Sequence, residues 1–435
     1  MIQAGFARAD VTPPLGTLLA GYFETRLASD VRDPVELNAL AFGNGEETAL
    51  LVACDFTGMN YKCGKELRER ISRRTGVDAA HIILSTLHQH TSFRVGDFMN
   101  AVPAMGDTAF LDVLYRKFED VAQMAVADMS ESTLGVAKKD ALTPLSFTRR
   151  YVMADGSVMT NPDTKKYGTP VRRCDESDNA VRLLRFKREG KKDIALVSFS
   201  THADVIGGKK ISADWPGFVR RFVEADDPDT HCVCIVGCQG DSNHVDFLKP
   251  SSAERFPHGI CYAHSRYMGR VIADTVREMW EHTAKHEGDK IFGGIKLVYN
   301  KTNDTGMEHY DECRALYDSY ERGEIPVCPN HPYTRRVAHL PTAPLYQTVP
   351  VTVLGLGDIA FVGFGGEPFT DYTRKTEALA TDKTVLCVCM ANGNEGYLVT
   401  DEAFAEGGYE VTNTNFTAGV QAQCLDAADQ LLKQF

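Results

Sequence analysis

The sequence predicts an α/β protein with a mixed β-sheet core flanked by helices and a metal site at the carboxyl ends of its strands. Short apolar runs rich in β-branched residues alternate with amphipathic helical segments along most of the chain, which is typical of a sheet covered by helices. The segments 145–155 and 296–298 resemble hairpin strands instead, so the sheet is expected to be mixed rather than purely parallel. Five of the apolar runs end in glycine and in side chains that bind metals or protons.

These five runs are expected to be buried strands, because each is short, continuous and apolar. In open α/β sheets, ligands bind in the crevice outside the carboxyl ends of the strands, so the five tails are expected to form one site. The runs and their tails are 82–84 with His88-Gln89-His90, 195–199 with His202-Ala203-Asp204, 233–236 with Gly240-Asp241-Ser242-Asn243-His244, 359–362 with Gly365-Gly366-Glu367, and 385–389 with Asn392-Gly393-Asn394-Glu395-Gly396-Tyr397.

Between the strands, apolar residues recur at helical spacing. Leu67 and Ile71 form such a stripe in the segment 61–75, and a longer stripe predicts a helix over 109–129. Further helices are predicted at 261–283, 306–322, 370–380 and 416–434.

Two other segments carry local signals from Pro and Asp. Asp214 followed by Pro216 is typical of a helix start that is capped by the Asp side chain. The Pro-rich stretch 326–350 is predicted to be a long surface loop and a candidate lid rather than a domain boundary. Residues 1–435 are therefore expected to form a single catalytic domain.

Composition and charge restrict the class of partner. The chain has 435 residues, a net charge of −12 and a pI near 5.6. Nucleic acid is not expected as a partner, because phosphate binding needs a basic surface. The apolar segments are shorter than the roughly 20 residues of a membrane span, so no stable membrane insertion is expected. The expected partner is a small-molecule substrate, and an oligomer is compatible with the sequence.

The cysteines and the N-terminus predict a cytoplasmic protein. Most of the 12 cysteines lie in apolar runs, where they are expected to be reduced core thiols rather than a disulfide framework. The first residues lack the basic and apolar regions of a secretory leader.

Histidines at two strand ends predict a metal site. His88 and His90 flank a single residue, so on an extended segment both imidazoles lie on one face. With His202 they offer the imidazole ligands that zinc commonly binds, although an exposed His pair in a turn is the alternative. Glu367 follows two glycines that let a carboxylate approach an ion, or it is an acid that begins the helix predicted at 370–380.

Three further side chains are candidates with a plainer alternative each. Asp241 can orient a metal-bound His, or it is a turn residue. Arg149 can stabilise a developing oxyanion, or it pairs with surface carboxylates. Tyr397 is an infrequent kind of metal ligand and is more often a packed aromatic residue.

A set of short motifs, which keeps its order along nearly the whole chain, resembles the zinc-dependent catalytic domain of the neutral ceramidase family. The family hydrolyses the amide bond of ceramide. The motifs are Ala9-Asp10-Val11-Thr12-Pro13-Pro14, His88-Gln89-His90-Thr91-Ser92, Phe199-Ser200-Thr201-His202, Gln239-Gly240-Asp241, Gly365-Gly366-Glu367-Pro368-Phe369 and Gly396-Tyr397-Leu398-Val399-Thr400.

The resemblance implies which residues form the site. It implies that His90 and Arg149 contact the reacting carbonyl, and Tyr409-Glu410 match a family motif near the site. The Zn2+ ligands that the resemblance implies are His88, His202, Glu367 and Tyr397.

The sequence departs from the family in three places. The loop 87–93 differs from the family's Thr-His-Thr-His-Ser-Gly-Pro. Asn243 stands where the family carries a proposed active-site Ser, which favours direct attack by activated water over a covalent route. The chain ends about where the catalytic part would, so the family's immunoglobulin-like C-terminal domain is not expected.

We therefore predict a zinc-dependent hydrolase that cleaves an amide or a related acyl bond with metal-activated water. His90 would be a general base or an oxyanion partner, Arg149 would stabilise the oxyanion and Asp241 would support the metal ligands. One alternative is a ligand-binding module without activity. Another is a metal-dependent hydrolase or lyase acting on a soluble sugar-like or lactone substrate, whose hydroxyl groups would suit Gln89, Asn243 and His244.

Overall fold

The computed structural model describes residues 1–96, 107–326 and 328–435. Within these ranges the long strands form two sheets, and the five apolar runs are all strands. In chain order the long strands are β1 Gln3–Asp10, β2 Glu36–Gly43, β3 Thr48–Cys54, β4 Ile82–Thr86, β5 Ser130–Asp140, β6 Ala180–Arg188, β7 Asp193–Phe199, β8 Thr230–Val236, β9 Ala284–His286, β10 Ile291–Lys301, β11 Tyr346–Leu356, β12 Ile359–Phe364 and β13 Thr384–Val388.

The helices cover these sheets, and most lie within a few residues of the predicted bounds. Among the described residues, no helix combines the length and the apolar character needed to cross a bilayer. The longer helices are α1 Tyr61–Thr75, α2 Thr108–Ala127, α3 Asp214–Asp226, α4 Tyr262–Met279, α5 Tyr310–Glu321, α6 His331–His339, α7 Asp371–Leu379 and α8 Val420–Leu432. Shorter helices lie at Thr164–Tyr167, Ser252–Arg255, Asp401–Glu406 and Tyr409–Asn413.

The larger sheet has the strand order β8-β7-β6-β5-β1-β2-β3-β4, with β9 paired to β5. Its two outermost pairs, β7 with β8 and β3 with β4, are parallel, and the other pairs are antiparallel. The parallel neighbours are connected through α3 and α1, because a parallel pair needs a long crossover. The prediction of a mixed sheet flanked by helices is confirmed.

Strands β2, β3, β4, β7 and β8 of the larger sheet are buried on both faces, which explains their continuous apolar runs. On β3, Leu51 and Ala53 enter the core that contains β7 and β8, whereas Leu50 and Val52 enter the core beneath α1 and α2. This alternation follows the two-residue period of a strand.

The smaller sheet has the order β10-β11-β12-β13, and the segment after β13 joins it to the larger sheet. Cys389 N donates to Val236 O at the end of β8, and Asn392 N donates to Leu84 O on β4. The Asn392 side chain also accepts from Leu84 N at 2.9 Å. The carboxyl ends of strands from both sheets are therefore gathered in one place.

Asp214 does not cap its helix as the sequence predicts. Ala213 is the N-cap residue, and Asp214 is the first helical residue with φ of 50°. Its carboxylate accepts from Val205 N, Ile206 N, the Ser265 hydroxyl and the neighbouring Trp215 N. The capping prediction was wrong because the helix already begins at Asp214 and most of the donors to its carboxylate lie outside the helix.

The stretch 326–350 is not the long loop that its prolines predict. It contains α6 and the start of β11, and Val327 lies outside the described residues. Pro332 lies in the first turn of α6, where a helix leaves its N–H groups without intrahelical partners and tolerates Pro. Pro332 therefore marks a helix start rather than a loop.

Candidate metal centre

A cavity of about 330 Å³ opens where the strands of both sheets end. Most of the predicted site residues line it, namely His88, His90, Arg149, Glu367, Tyr397 and Tyr409. His202 lies at its base with 1% of its surface exposed. The other described wall residues include Gly21, Tyr22, Phe23, Thr57, Arg94, Thr160, Asn161, Asp204, Pro332, Asn394 and Asn413.

Three side chains from separate strand ends converge in this cavity. Nε2 of His88 lies 3.3 Å from Oε2 of Glu367, and Nε2 of His202 lies 3.4 Å from the same oxygen. The ring centroids of the two imidazoles are 5.1 Å apart. Two atoms that each bind one tetrahedral zinc ion at about 2.0–2.1 Å lie about 3.3–3.4 Å apart. The spacing of these three groups therefore fits a shared ion.

Hydrogen bonds to the backbone fix the orientation of both imidazoles. Nδ1 of His88 donates to Thr57 O at 2.8 Å, and Nδ1 of His202 donates to Gln239 O and Ser242 O at 2.8 and 2.9 Å. A neutral imidazole carries one proton, so each Nε2 faces Glu367 with a lone pair. Backbone carbonyls thus supply the orienting contacts that metal-binding His residues usually have.

The buried carboxylate of Glu367 lies where a cation would stabilise it. Among the described residues, its Oε2 accepts no hydrogen bond. A carboxylate oxygen facing two imidazole lone pairs is unfavourable unless a cation or a proton lies between them. The ring of His90 is the third imidazole of this group, and the ligand atoms of His88, His90 and His202 lie within 4.8 Å of one another. The donor set, imidazole and carboxylate, suits a divalent metal such as zinc.

The electrostatics of the centre agree with this donor set. Burial raises the pKa of Glu367, but the His88 and His202 imidazoles outweigh it and hold the pKa well below its usual value. Burial, together with the Arg149 charge, lowers the pKa of His202 to about 3. At His88 the Glu367 carboxylate outweighs burial and raises the pKa, which is a further sign that this carboxylate attracts a cation.

Backbone pairing brings Glu367 beside Tyr397. The short strands Glu367–Pro368 and Tyr397–Leu398 are parallel neighbours in which Glu367 pairs with Tyr397. A Cβ at Gly366 would lie 2.6 Å from Gly396 O, so only glycine allows this close approach. The glycines before Glu367 therefore serve the placement that the sequence indicates.

Arg149 is held rigidly at the edge of the centre. Its Nε donates to Glu410 Oε1 at 2.7 Å, and its Nη2 donates to Gly240 O at 2.7 Å. Its Nη1 lies 3.3 Å from His202 Nε2. The Glu410 carboxylate is fully buried, so the Arg149 guanidinium and this carboxylate form a buried ion pair.

The two predicted tyrosines lie against this arginine. The Arg149 guanidinium carbon lies 5.2 Å from the ring centroid of Tyr397 and 5.9 Å from that of Tyr409. The two rings are 5.9 Å apart and close to perpendicular. Burial raises the pKa of both phenols and outweighs the opposing Arg149 charge.

Asp241 and Asn243 lie behind the cavity wall. The Asp241 carboxylate accepts from the Thr370 N–H at 2.7 Å and from its hydroxyl at 2.8 Å, so it holds the segment that follows Glu367. Asn243 donates to the Asn161 side chain at 2.7 Å, and Asn161 lines the cavity. The structure thus brings both predicted residues near the site without bringing their side chains to the converging ligands.

Gln89 points away from the cavity into a buried polar network. It is fully buried, and its side-chain amide donates to Asp55 Oδ1 at 3.0 Å. Arg220 of α3 donates to both oxygens of the same carboxylate. Gln89 therefore anchors the loop between His88 and His90, and it is not placed to recognise substrate hydroxyl groups.

Sequence reasoning assigned no role to several wall residues. Asp204 belongs to one of the five strand-end tails that were expected to form the site, but its role was not predicted. It lies 3.2 Å from His90 Nδ1 and accepts from the Tyr22 hydroxyl. Tyr22 lies in an irregular segment, and the sequence gives no comparable signal for it.

Fold and site together define an α/β protein with a candidate metal centre at its strand ends. No family model matches the chain, and no curated protein matches it. Among solved structures, neutral ceramidase from Pseudomonas aeruginosa matches with a TM-score of 0.74 at 15% identity, over 100% of this chain and 75% of that one. A ceramidase complexed with C2 matches with a TM-score of 0.71 at 14% identity, over 99% of this chain and 74% of that one. The protein has a neutral ceramidase-like fold, and the resemblance predicted from the motifs is confirmed at the level of the fold.

Proposed function

We propose that the protein is a zinc-dependent hydrolase that cleaves an amide or a related acyl bond. The observation that carries this proposal is the convergence of His88, His202 and Glu367, at spacings suited to one tetrahedral ion, in a cavity open to a small molecule. Tyr397 would complete the ligands, since it pairs with Glu367 along the backbone. The likeness to ceramidase structures supports the choice of reaction class.

The protein's own side chains would divide the work of hydrolysis between them. A bound zinc ion supplies Lewis acidity that polarises a carbonyl and lowers the pKa of water. Arg149, fixed by Glu410, would place positive charge where the oxyanion develops. The Tyr409 hydroxyl would donate a hydrogen bond to the substrate. His90 would exchange a proton with the substrate or with water. Asp241 and Asn243 would act indirectly, through Thr370 and Asn161.

A water-soluble acyl compound is a second candidate substrate. The described wall of the cavity presents the polar side chains of Thr160, Asn161, Asn394 and Asn413 beside the rings of Tyr22, Phe23, Tyr397 and Tyr409. The few polar groups of a ligand site fix the orientation and specificity of its ligand, so these hydroxyl and amide groups favour a substrate with polar groups of its own.

Metal analysis combined with substrate profiling tests the proposal. We expect about one zinc per chain in the purified protein, lost in His88→Ala and retained in the control His309→Ala, whose side chain is exposed. N-acyl lipids and water-soluble acyl compounds are then compared by kcat/KM with the zinc-loaded protein. Zinc that persists undiminished in His88→Ala, or a lack of turnover on both substrate classes, contradicts the proposal.

A further inference from the structure

His90 carries two alternative roles in the proposed reaction, a base that accepts a proton and an oxyanion partner that donates one. The two roles need opposite tautomers, because only one nitrogen of a neutral imidazole carries a proton. The groups around the Nδ1 nitrogen of His90 therefore decide which role its other nitrogen, Nε2, can serve.

A carboxylate and a phenol surround that Nδ1 nitrogen. Asp204 Oδ1 lies 3.2 Å from it, which is an ion-pair distance although the hydrogen-bond geometry is not aligned. Catalytic hydrogen bonds are often loose before substrate binds and tighten in the complex. The Tyr22 hydroxyl donates to the same oxygen of Asp204, and the Tyr22 ring packs edge-on against His90 at 5.2 Å.

An ionised carboxylate can only accept hydrogen bonds. Oδ1 of Asp204 already accepts a hydrogen bond from the Tyr22 hydroxyl, which places this oxygen as the acceptor that faces Nδ1 of His90. Nδ1 of His90 must therefore carry the proton that faces Asp204, and Nε2 is left with a lone pair.

The surrounding loop holds this arrangement closely. Arg26 lies with its guanidinium 4.1 Å over the Tyr22 ring and donates to His90 O at 2.8 Å. Gly21 has φ of 95°, and a Cβ at this position would lie 2.5 Å from Cγ of His90. The loop thus packs against His90 at a distance that only glycine permits.

We propose that Asp204 and Tyr22 are positioning residues that fix His90 as a base rather than as an oxyanion donor. This inference rests on the proposed hydrolase. Nε2 of His90 takes a proton from the attacking water while the water oxygen bonds to the acyl carbon. It then returns that proton to the leaving nitrogen as the carbon–nitrogen bond breaks, which yields a carboxylic acid and an amine. Asp204 remains ionised throughout and offsets the charge of the imidazolium.

The tautomer can be measured without any substrate. Zinc-loaded protein labelled with ¹⁵N-histidine is studied by long-range ¹H–¹⁵N correlation, and the His90 signals are assigned by their loss in His90→Gln. We expect a protonated Nδ1 and a bare Nε2 in the wild type. In Asp204→Asn the amide can donate to Nδ1, so we expect the proton on Nε2 instead. A wild-type His90 that carries its proton on Nε2 overturns the proposal, and this spectrum is decisive even where Asp204→Asn fails to fold.

Kinetics with the best substrate of the profile separate the two roles. If His90 is the base, Asp204→Asn lowers kcat by about 100-fold or more with little change in KM, because general-base catalysis contributes about 10²–10⁴-fold. Tyr22→Phe lowers kcat by about 10-fold, as expected for one hydrogen bond to a charged group. The controls Asp246→Asn and Tyr151→Phe alter carboxyl and phenol groups outside the cavity wall and leave kcat unchanged.

The zinc content of each variant shows whether a lower kcat is caused by loss of the metal. We expect about one zinc per chain in both Asp204→Asn and Tyr22→Phe. Unchanged or higher kcat in Asp204→Asn contradicts the proposal, since that variant presents Nε2–H as a donor. Lack of turnover by the wild type would instead count against the hydrolase itself, and the NMR spectrum would still decide the tautomer.

Discussion

Replacing Arg220 by Met is expected to lower the free energy of unfolding by about 3–5 kcal/mol and to weaken zinc binding. Arg220 and Asp55 are 2% and 0% exposed, and Nη1 of Arg220 donates to Asp55 Oδ1 at 3.0 Å. Its Nη2 donates to the second carboxylate oxygen. The substitution removes both hydrogen bonds to Asp55 and a third from Nη2 to Glu36 Oε2 at 3.3 Å, and it leaves the buried Asp55 carboxylate without its countercharge.

The magnitude follows from what remains around Asp55. Gln89 Nε2 at 3.0 Å and Glu36 N at 2.9 Å still donate to it, so the carboxylate is not left without partners. Breaking a buried ion pair on one side costs about 3–5 kcal/mol. Gln89 links Asp55 to the loop that carries His88, so zinc affinity is expected to fall by about 10-fold, the lower end of the effect of orienting partners.

Urea unfolding of the metal-free protein measures the stability term. Metal is removed because a ligand that binds only the folded state adds to its stability. The buried Trp215 of α3 reports unfolding through its fluorescence. Arg221→Met is the matched control, since Arg221 is the next residue of the same helix, 39% exposed, with Asp33 3.4 Å away. This control should cost no more than about 1 kcal/mol.

A double-mutant cycle isolates the pair. Asp55→Asn combined with Arg220→Met is expected to cost less than the sum of the single substitutions, because the second change removes the unpaired charge. A loss below about 1 kcal/mol for Arg220→Met, or a loss no greater than that of Arg221→Met, would refute the reasoning.

Three further outcomes are expected. In urea unfolding, Gly21→Ala should lower the free energy of unfolding by about 1–3 kcal/mol more than Gly16→Ala. Both glycines have positive φ, but only at Gly21 would a Cβ lie against His90. Equal losses in the two variants would contradict this. Burial lowers the pKa of His264 to about 4, so between about pH 6.5 and 4 the unfolded chain binds a proton that the folded chain does not. The free energy of unfolding should fall by up to about 3 kcal/mol as pH drops through this window, and His264→Phe should flatten that slope in urea titrations. Removal of zinc by a chelator should lower the free energy of unfolding of the wild type by about 2.7 kcal/mol, compared with the protein in free zinc at 100 times Kd. An equal effect of the chelator on Glu367→Gln would contradict ligation by Glu367.

The site residues at the strand ends were predictable, because each follows a short apolar run that clearly predicts a buried strand. His88, His202 and Glu367 come directly after β4, β7 and β12, and the rule that ligands bind at the carboxyl ends of strands brings them together. The fold class was predictable for the same reason, since alternating strands and helices leave few arrangements.

What could not be predicted depends on contacts between distant segments. The Asp241 carboxylate accepts a hydrogen bond from Thr370 N, and the Asp214 carboxylate accepts from the backbone N–H groups of residues 205 and 206. These donors come close to the carboxylates only when the chain is folded. Tyr22 reaches the site through its contacts with Asp204 and Arg26, which local periodicity does not encode. At α6 the local signal itself was ambiguous, since Pro is common both in loops and in first helical turns.

The connection of residues 389–392 to β4 and β8 has a consequence for biosynthesis. His88 leaves the ribosome long before Glu367 and Tyr397 have been translated, so a nascent chain cannot hold an ion as the finished protein would. Contacts between segments so far apart in sequence form slowly, because the entropy of closing a long loop is lost before the contacts stabilise the chain. Metal capture would then follow translation of the segment that carries Glu367 and Tyr397.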